Sequence, residues 1–194
     1  STSWINATGQ NNWTYGATTW ENNKNYRIKV KAKDNANNEE TPGAGNAFTF
    51  DNASPSSAVT YPTNNSRLKT LSTLSGTSSD TFGVSLVQVR VKRISDTNYW
   101  TGSTWGTSEI WKNASSVNPW SYTSSFSFSD QENYLITSRA TDNASNLESP
   151  GINDGNTFTY DLTAPVSVVT VPTDTENTNS LTTLSGTSSS DTSL

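Results

Sequence analysis

The 194-residue chain has no cysteine, no histidine and no methionine. Without cysteine it can form neither disulfide bonds nor thiolate metal sites, which fits a secreted bacterial protein. Without histidine it lacks the commonest general base and metal ligand. It also has no run of about 18 apolar residues, so the sequence predicts no membrane-spanning helix. Oxygen-bearing side chains are therefore the candidate ligands and catalytic groups.

Charged and apolar residues are both scarce, at 15% and 30% of the chain, and the net charge is −5. A nucleic-acid partner needs a basic stripe, so none is expected. Serine and threonine total 62 and asparagine 23, a composition that favours strands and turns over helices. Aromatic residues make up 10% and include seven tryptophans. A core built from a few large rings is typical of a small β-sandwich.

One stretch of alternating apolar and polar residues occurs twice, at 25–51 and 133–161. Each copy has an alternating run, a polar turn and a second alternating run, which predicts a β-hairpin with one buried face. The copies are 108 residues apart at Tyr26 and Tyr134, and 110 apart at the closing aspartate. An offset of this size indicates a repeat as large as a domain.

The similarity extends beyond the hairpin. Residues 1–50 match 108–160, and residues 71–79 return at 181–189 with one substitution. The predicted division is the C-terminal half of one repeat at 1–50, a complete repeat at 51–160 and the N-terminal part of the next at 161–194. Either the two ends complement each other between chains by strand donation, or the chain is a window from a longer array. A complemented repeat would lack its most hydrophobic strand, so we expect the array.

The complete repeat predicts about seven strands in an all-β, antiparallel sandwich. The strongest pattern is at 84–94, where Val87, Val89 and Val91 should point inward and the intervening residues, including Arg90 and Lys92, outward. The remaining predicted strands are 58–61 (an edge strand), 68–77, 99–105 with a bend, 110–111, 120–128, 134–140 and 158–160.

The run Tyr134-x-Ile136-x-Ser138-x-Ala140-x-Asp142 and its copy from Tyr26 resemble the sixth strand of immunoglobulin-like and fibronectin-type-III-like modules. In those modules the leading tyrosine forms a tyrosine corner. The chain departs from the pattern at Ser145 and Asn37, where glycine is usual.

Nearly the whole chain is similar to the bacterial Ig-like repeats of large extracellular proteins. The resemblance implies Ig-like β-sandwich repeats of about 108–110 residues in tandem. It also implies a stalk or spacer in a surface protein rather than a chemical activity. The motifs that carry it are Asp51…Pro55, Ser75-Gly76-Thr77…Asp80, Gly83-Val84…Val87…Val89, Tyr99-Trp100-x-Gly102-x-x-Trp105 and Ala140-x-Asp142-x-Ala144-x-Asn146.

Catalysis by paired carboxylates, as in glycosidases, is the enzymatic alternative. The candidates are Asp80, Asp142, Asp161 and Glu148. They lie at predicted strand ends beside asparagine, serine and threonine, with nothing apolar to raise a pKa. Serine has no base to activate it. We therefore expect turn-forming residues and no catalytic site.

Calcium is the most specific site hypothesis. In an Ig-like topology, the loops with Asp80 and Asp142-Asn143 lie at the end where the chain enters, and Asp51 leads directly to that end. Carboxylate oxygens from several loops suit Ca²⁺, which would stiffen the joint between repeats. The alternative is solvated turn residues. The predicted ligands at the two junctions are Asp51, Asp80, Asp142, Asn143, Asp161 and Asp191.

The tryptophans of the complete repeat could either stack against sugars or fill the core. Trp100 and Trp105 lie near a glycine bend and are the candidates for glycan contact. The leading functional hypothesis is a non-catalytic, rigid structural segment of an extracellular, prokaryotic fibre, stalk or adhesin. Its expected partners are neighbouring repeats, with lateral self-association into filaments as an option. The alternative is a carbohydrate-binding or adhesive module.

Overall fold

The computed structural model describes residues 4–16 and 19–189. In this part of the chain all regular elements are β-strands. None of its residues forms a helix long and apolar enough to cross a membrane. The chain divides after Ala53 into two compact units.

The first unit contains strands β1 (Lys24–Ile28) and β2 (Asn46–Phe50). The second unit contains the strands that follow, in chain order. They are β3 (Ser56–Tyr61), β4 (Ser66–Leu68), β5 (Thr73–Ser79), β6 (Val84–Arg93), β7 (Tyr99–Trp100), β8 (Trp105–Gly106), β9 (Lys112–Asn113), β10 (Trp120–Thr123), β11 (Glu132–Asp142), β12 (Asn156–Tyr160), β13 (Val166–Val171) and β14 (Ser185–Ser189).

The first unit is built on an antiparallel hairpin in which Tyr26 lies opposite Phe48. Gly45 begins the return of the chain with φ +74, and a Cβ there would lie 2.2 Å from the Ile28 carbonyl oxygen. Only glycine fits such a close approach at positive φ. The rings of Trp20, Tyr26 and Phe48 pack together, with centroids 4.6–5.5 Å apart.

The second unit has a β-sandwich-like architecture in which two sheets share one core. A three-stranded sheet has the order β10-β5-β3, and a larger one has the order β4-β12-β11-β6-β7-β8, with β9 also paired to β6. All pairs are antiparallel except β4 with β12. A separate antiparallel pair, β13-β14, follows.

The core confirms the alternation predicted for β6, since Val87, Val89 and Val91 are all at most 3% exposed. The other buried apolar residues are contributed by both sheets. They are Leu74, Trp100, Trp120, Tyr134, Ile136, Ala140 and Phe158.

Gly76 of the Ser-Gly-Thr motif lies under this core. A Cβ on it would lie 1.9 Å from the Ala58 carbonyl oxygen and 2.4 Å from the Trp120 ring. The motif therefore needs glycine because another backbone and an indole approach it closely.

Four predicted strands differ in the structure. The one predicted at 99–105 is reduced to β7 and β8, and the one predicted at 110–111 is found two residues later as β9. The strand predicted at 68–77 is divided, because β4 pairs with β12 in one sheet and β5 pairs with β3 in the other. The chain must cross between sheets after Leu68. The strand predicted at 120–128 ends at Thr123. Beyond it, Phe126 and Phe128 stack on each other with centroids 4.9 Å apart instead of continuing the ladder.

The segment that includes β3 and the start of β4 is hydrogen-bonded to β12. The Asn156 side-chain amide donates to the carbonyls of Val59 and Pro62. The Asn65 amide donates to the Thr157 carbonyl. Because β4 runs parallel to β12, the chain enters the sandwich at one end and leaves it at the other. We call these the leading end, near Ser54, and the trailing end, near Asp161.

Candidate functional site

At the leading end the structure brings together two of the predicted calcium ligands. The carboxylate oxygens of Asp80 and Asp142 come within 4.8 Å of each other. Asp80 follows β5 and Asp142 ends β11, so each lies where a strand turns back. Asp80 Oδ1 accepts a hydrogen bond from the Phe82 amide at 2.7 Å.

Asp142 is 1% exposed, and both of its carboxylate oxygens are occupied. Oδ1 accepts from the Asn146 backbone amide and Oδ2 from the Asn146 side chain, each at 2.8 Å. Burial opposes the charge on Asp142, but the hydrogen bonds from Asn146 and the following backbone outweigh it, so its pKa is lowered. A lowered pKa suits a structural carboxylate rather than a general acid.

The same aspartate–asparagine pair is present in the first unit. Asp34 accepts from the backbone and side chain of Asn38 at 2.9 and 2.8 Å. In both turns the residue before the asparagine has positive φ, +72 at Asn37 and +73 at Ser145. This conformation explains why glycine is usual at that position in the modules the sequence resembles.

Asn143 lies beside this turn as a donor. Its side-chain amide donates to the Phe82 carbonyl at 2.7 Å, and its backbone amide donates to Gly83. Gly83 has φ +93, and a Cβ there would lie 2.8 Å from the Asn143 amide nitrogen. Asn143 therefore joins the two loops of the leading end.

At the trailing end, side chains hold the segment that leaves the sandwich. Asp130 accepts hydrogen bonds from the Leu162 amide and the Thr163 hydroxyl. Asp161 accepts from the Gln131 side chain at 2.7 Å and from the Thr163 amide at 3.2 Å. We call these contacts the linker clamp. The predicted partner of Asp161, Asp191, lies outside the described residues.

The first unit makes an equivalent linker clamp of its own. Asn22, which aligns with Asp130, accepts from the Asn52 amide at 2.9 Å. Asp51, which aligns with Asp161, accepts from the Ala53 amide at 3.1 Å. The sequence contains this signal, because these residues recur at the repeat offset, but Asp130 and Asn22 were not among the predicted site residues.

The two glycan candidates differ in exposure. Trp100 is 1% exposed, and its indole N–H donates to Ser124 Oγ. Trp105 is half-buried, with its N–H donating to the Ser127 carbonyl at 2.7 Å. The burial of Trp100 argues against a sugar stacking on its ring. Glycan contact at Trp105 stays a prediction.

Glu148 connects the first strand of the sandwich to β11. Its Oε1 accepts from the Ser57 amide, and its Oε2 accepts from the Ser57 hydroxyl and the Ala140 amide, at 2.7–3.0 Å. Ser57 and Glu148 also line a polar cavity of about 460 Å³. Because the carboxylate holds three donors, Glu148 is explained as a bridge between sheets. Its repeat equivalent, Glu40, was the sequence signal for this role.

The outer face of β6 and β11 carries a polar cluster that the sequence did not single out. Trp111 lies near two guanidinium groups, 4.2 Å from Arg139 and 4.8 Å from Arg90. Its N–H donates to Glu109, which is also 3.1 Å from Arg90. Arg90 is 5% exposed and its Nε has no hydrogen-bond partner among the described residues.

Comparison of the chain with protein-family models, with curated proteins and with solved structures gives no match.

Proposed function

We propose that the chain is a non-catalytic structural segment of a long extracellular fibre, stalk or adhesin of a prokaryote. Its repeats act as rigid spacers of the tandem Ig-like kind. The observation that carries the proposal is the recurrence of the linker clamp. In each unit, a side chain of the module holds the amide that follows the closing aspartate, at Asn52 and at Leu162. A spacer needs such contacts, because a free linker lets modules swing.

Two further features support an Ig-like module. Tyr134 Oη accepts from the Ser129 amide at 2.8 Å, and Tyr26 Oη accepts from the Glu21 amide at 2.9 Å. A tyrosine that bonds back to the upstream backbone is the tyrosine corner of these sandwiches. The parallel pairing of β4 with β12 also separates the two ends of the module, as a spacer requires.

The absence of catalysis is part of the proposal. The candidate carboxylates Asp80, Asp142, Asp161 and Glu148 all accept hydrogen bonds from backbone amides or side chains. Each of them therefore has a structural use in a turn, a linker or a sheet bridge. Screening the chain for glycosidase and esterase activity should give no turnover, and saturable turnover would contradict the proposal.

The linker clamp can be tested by measuring distances across it. The chain lacks cysteine, so spin labels at Thr107→Cys and Thr182→Cys, both exposed, give one defined pair. We expect a narrow distance distribution that broadens about twofold in Asp130→Ala, since the Leu162 amide loses its acceptor. Asp96→Ala, an exposed carboxylate elsewhere on the module, is the control and should leave the width unchanged. A wild-type distance distribution as broad as that of Asp130→Ala would contradict the spacer proposal.

Calcium binding at the leading end belongs to the same proposal. Two carboxylates within 4.8 Å, Asp80 and Asp142, have the spacing at which one cation is shared. Calcium should raise the Tm of the chain, and Asp80→Asn should remove the increase. A Tm that is insensitive to EDTA, with no bound metal by elemental analysis, would contradict calcium while leaving the linker clamp untouched.

A further inference from the structure

Basic side chains concentrate on one sheet face in each unit. In the second unit, Arg90, Lys92 and Arg139 lie on the outer face of β6 and β11, opposite the buried valines. In the first unit, four more occupy alternate positions along a segment that begins in β1 and continues beyond its end at Ile28. These are Arg27, Lys29, Lys31 and Lys33. Together they are seven of the twelve lysines and arginines of a chain whose net charge is −5.

Each of these faces also has a tryptophan at an equivalent position. In the second unit Trp111 lies against Arg139 and Arg90. In the first unit Trp4, which aligns with Trp111, lies 5.0 Å from the Lys31 ammonium group. Lys31 aligns with Arg139, so the pairing of an indole with a cation recurs at the repeat offset. We call the basic residues of each unit together with this tryptophan the basic face.

Positive charge on the basic face of the second unit is not balanced by the contacts within it. Of its two guanidinium groups, Arg90 pairs with the Glu109 carboxylate at 3.1 Å, whereas Arg139 lies over the Trp111 ring. Arg90 is fixed by Glu109 and by the Thr137 hydroxyl. Arg139 Nε donates a hydrogen bond to Gln88 Oε1. The two terminal nitrogens of Arg139 make no hydrogen bond or ion pair within the described residues. These nitrogens form the planar fork that binds carboxylates with two parallel hydrogen bonds.

We propose that the basic face binds a polysaccharide that carries carboxylate groups, such as a polyuronate. Arg139 and Lys92 contact the carboxylates, and the half-buried Trp111 presents an aromatic surface to the sugar ring. Because the face recurs in both units, a polymer with repeating carboxylates can engage more than one module, which raises its apparent affinity. This binding is separate from the spacer role, and either one can fail alone.

A polyuronate fits the face better than a nucleic acid does. The chain as a whole is acidic, which opposes long-range attraction of a densely charged phosphate backbone. Each basic face supplies only a few cations, whereas nucleic-acid binding without sequence preference needs a continuous positive groove. The indole beside the guanidinium groups provides the apolar contact that a pyranose ring can use.

Polygalacturonic acid is the probe, and calorimetry on the full chain is the measurement. We expect saturable binding that weakens as salt is raised, with neutral dextran giving no heat. The double variant Arg139→Gln/Lys31→Gln, which changes one face in each unit, should weaken apparent binding about tenfold or more. Lys92→Gln alone, at an outward position of β6, should weaken it about threefold.

Lys69→Gln is the matched control, since Lys69 is exposed and the charge change is the same. It should alter binding by less than about twofold. Arg139→Lys keeps the charge but loses the planar fork, so it should bind more weakly than wild type with an unchanged Tm. The proposal is overturned if wild type does not bind polygalacturonate, if Lys69→Gln loses as much affinity as the double variant, or if single-stranded DNA binds at least as tightly.

Discussion

The two copies of the hairpin, one in each unit, share their internal geometry and differ in burial. Tyr26 faces Phe48 in the first unit, and Tyr134 faces Phe158 in the second. The third ring of the cluster is Trp20 in one and Phe128 in the other, each 4.6 Å from its tyrosine. Register is therefore encoded within the hairpin itself, whereas the third ring of each cluster comes from the segment that precedes it.

Burial, in contrast, depends on the rest of the sandwich. Ile28 is 47% exposed in the first unit, whereas the equivalent Ile136 is fully buried. Leu184, which directly precedes β14, shows the same contrast, with 74% of its surface exposed against 0% for the equivalent Leu74. A short segment therefore specifies strand register, whereas only a second sheet can bury its apolar side chains.

The largest difference is expected between two equivalent tryptophans. Trp120 is 1% exposed and Trp13 is 46% exposed. Trp120→Ala should cost about 3–5 kcal/mol of unfolding free energy, because it leaves a cavity in the core. Trp13→Ala should cost less than about 1 kcal/mol. Urea titration followed by circular dichroism measures both. Equal losses of unfolding free energy would contradict the difference in burial between the two tryptophans.

The glutamate bridge should show a smaller difference. Glu148→Gln replaces an acceptor of three hydrogen bonds with a side chain that has only one acceptor oxygen, and should cost about 2–3 kcal/mol. In the first unit Glu40 accepts from the Ala32 amide, its one hydrogen bond as acceptor among the described residues, and is exposed. Glu40→Gln should therefore cost about 0.5 kcal/mol. Amide hydrogen exchange at Ala140 and Ala32 reports each site separately.

Acid should weaken the buried aspartate turn. The pKa of Asp142 is lowered in the folded chain, so its stabilisation is complete above the unfolded pKa, about 4, and is lost as the pH falls through the folded value. The Tm difference between wild type and Asp142→Asn should be largest near about pH 6 and should shrink toward about pH 2. Asp34→Asn, the exposed equivalent, should change Tm less at every pH. A constant difference across this range would show that Asp142 does not titrate in folding.

The smallest expected effect is a gain of stability. Ser145 has φ +73, a conformation that costs a serine more than a glycine. Ser145→Gly should stabilise the second unit by about 0.5–1 kcal/mol. Asn37→Gly should have nearly no effect, because asparagine tolerates this conformation. Thermal unfolding of the two variants measures both effects. Destabilisation by Ser145→Gly would contradict the role assigned to this turn.

The sequence predicted features that lie within one short segment and missed those that join distant strands. The alternation of Val87, Val89 and Val91 and the two-strand pattern of the hairpin were readable because each lies within one short segment. The division of the strand predicted at 68–77 was not readable, because the placement of β4 in the larger sheet depends on its pairing with β12. The bridge made by Glu148 and the contacts of Trp111 join side chains from distant strands, which a local pattern does not specify. Recurrence at the repeat offset was the one sequence signal for both.

The parallel pairing of β4 with β12 determines how the sandwich of the second unit responds to force. A pull on its two ends acts along both strands in opposite directions, so it slides one past the other. The bonds from Asn65 to Thr157 and from Asp161 to Leu68 are then loaded in shear, all at once. Antiparallel end strands would instead be peeled apart one bond at a time. This strand order therefore sets the two strands to oppose a separation of the two ends of the sandwich.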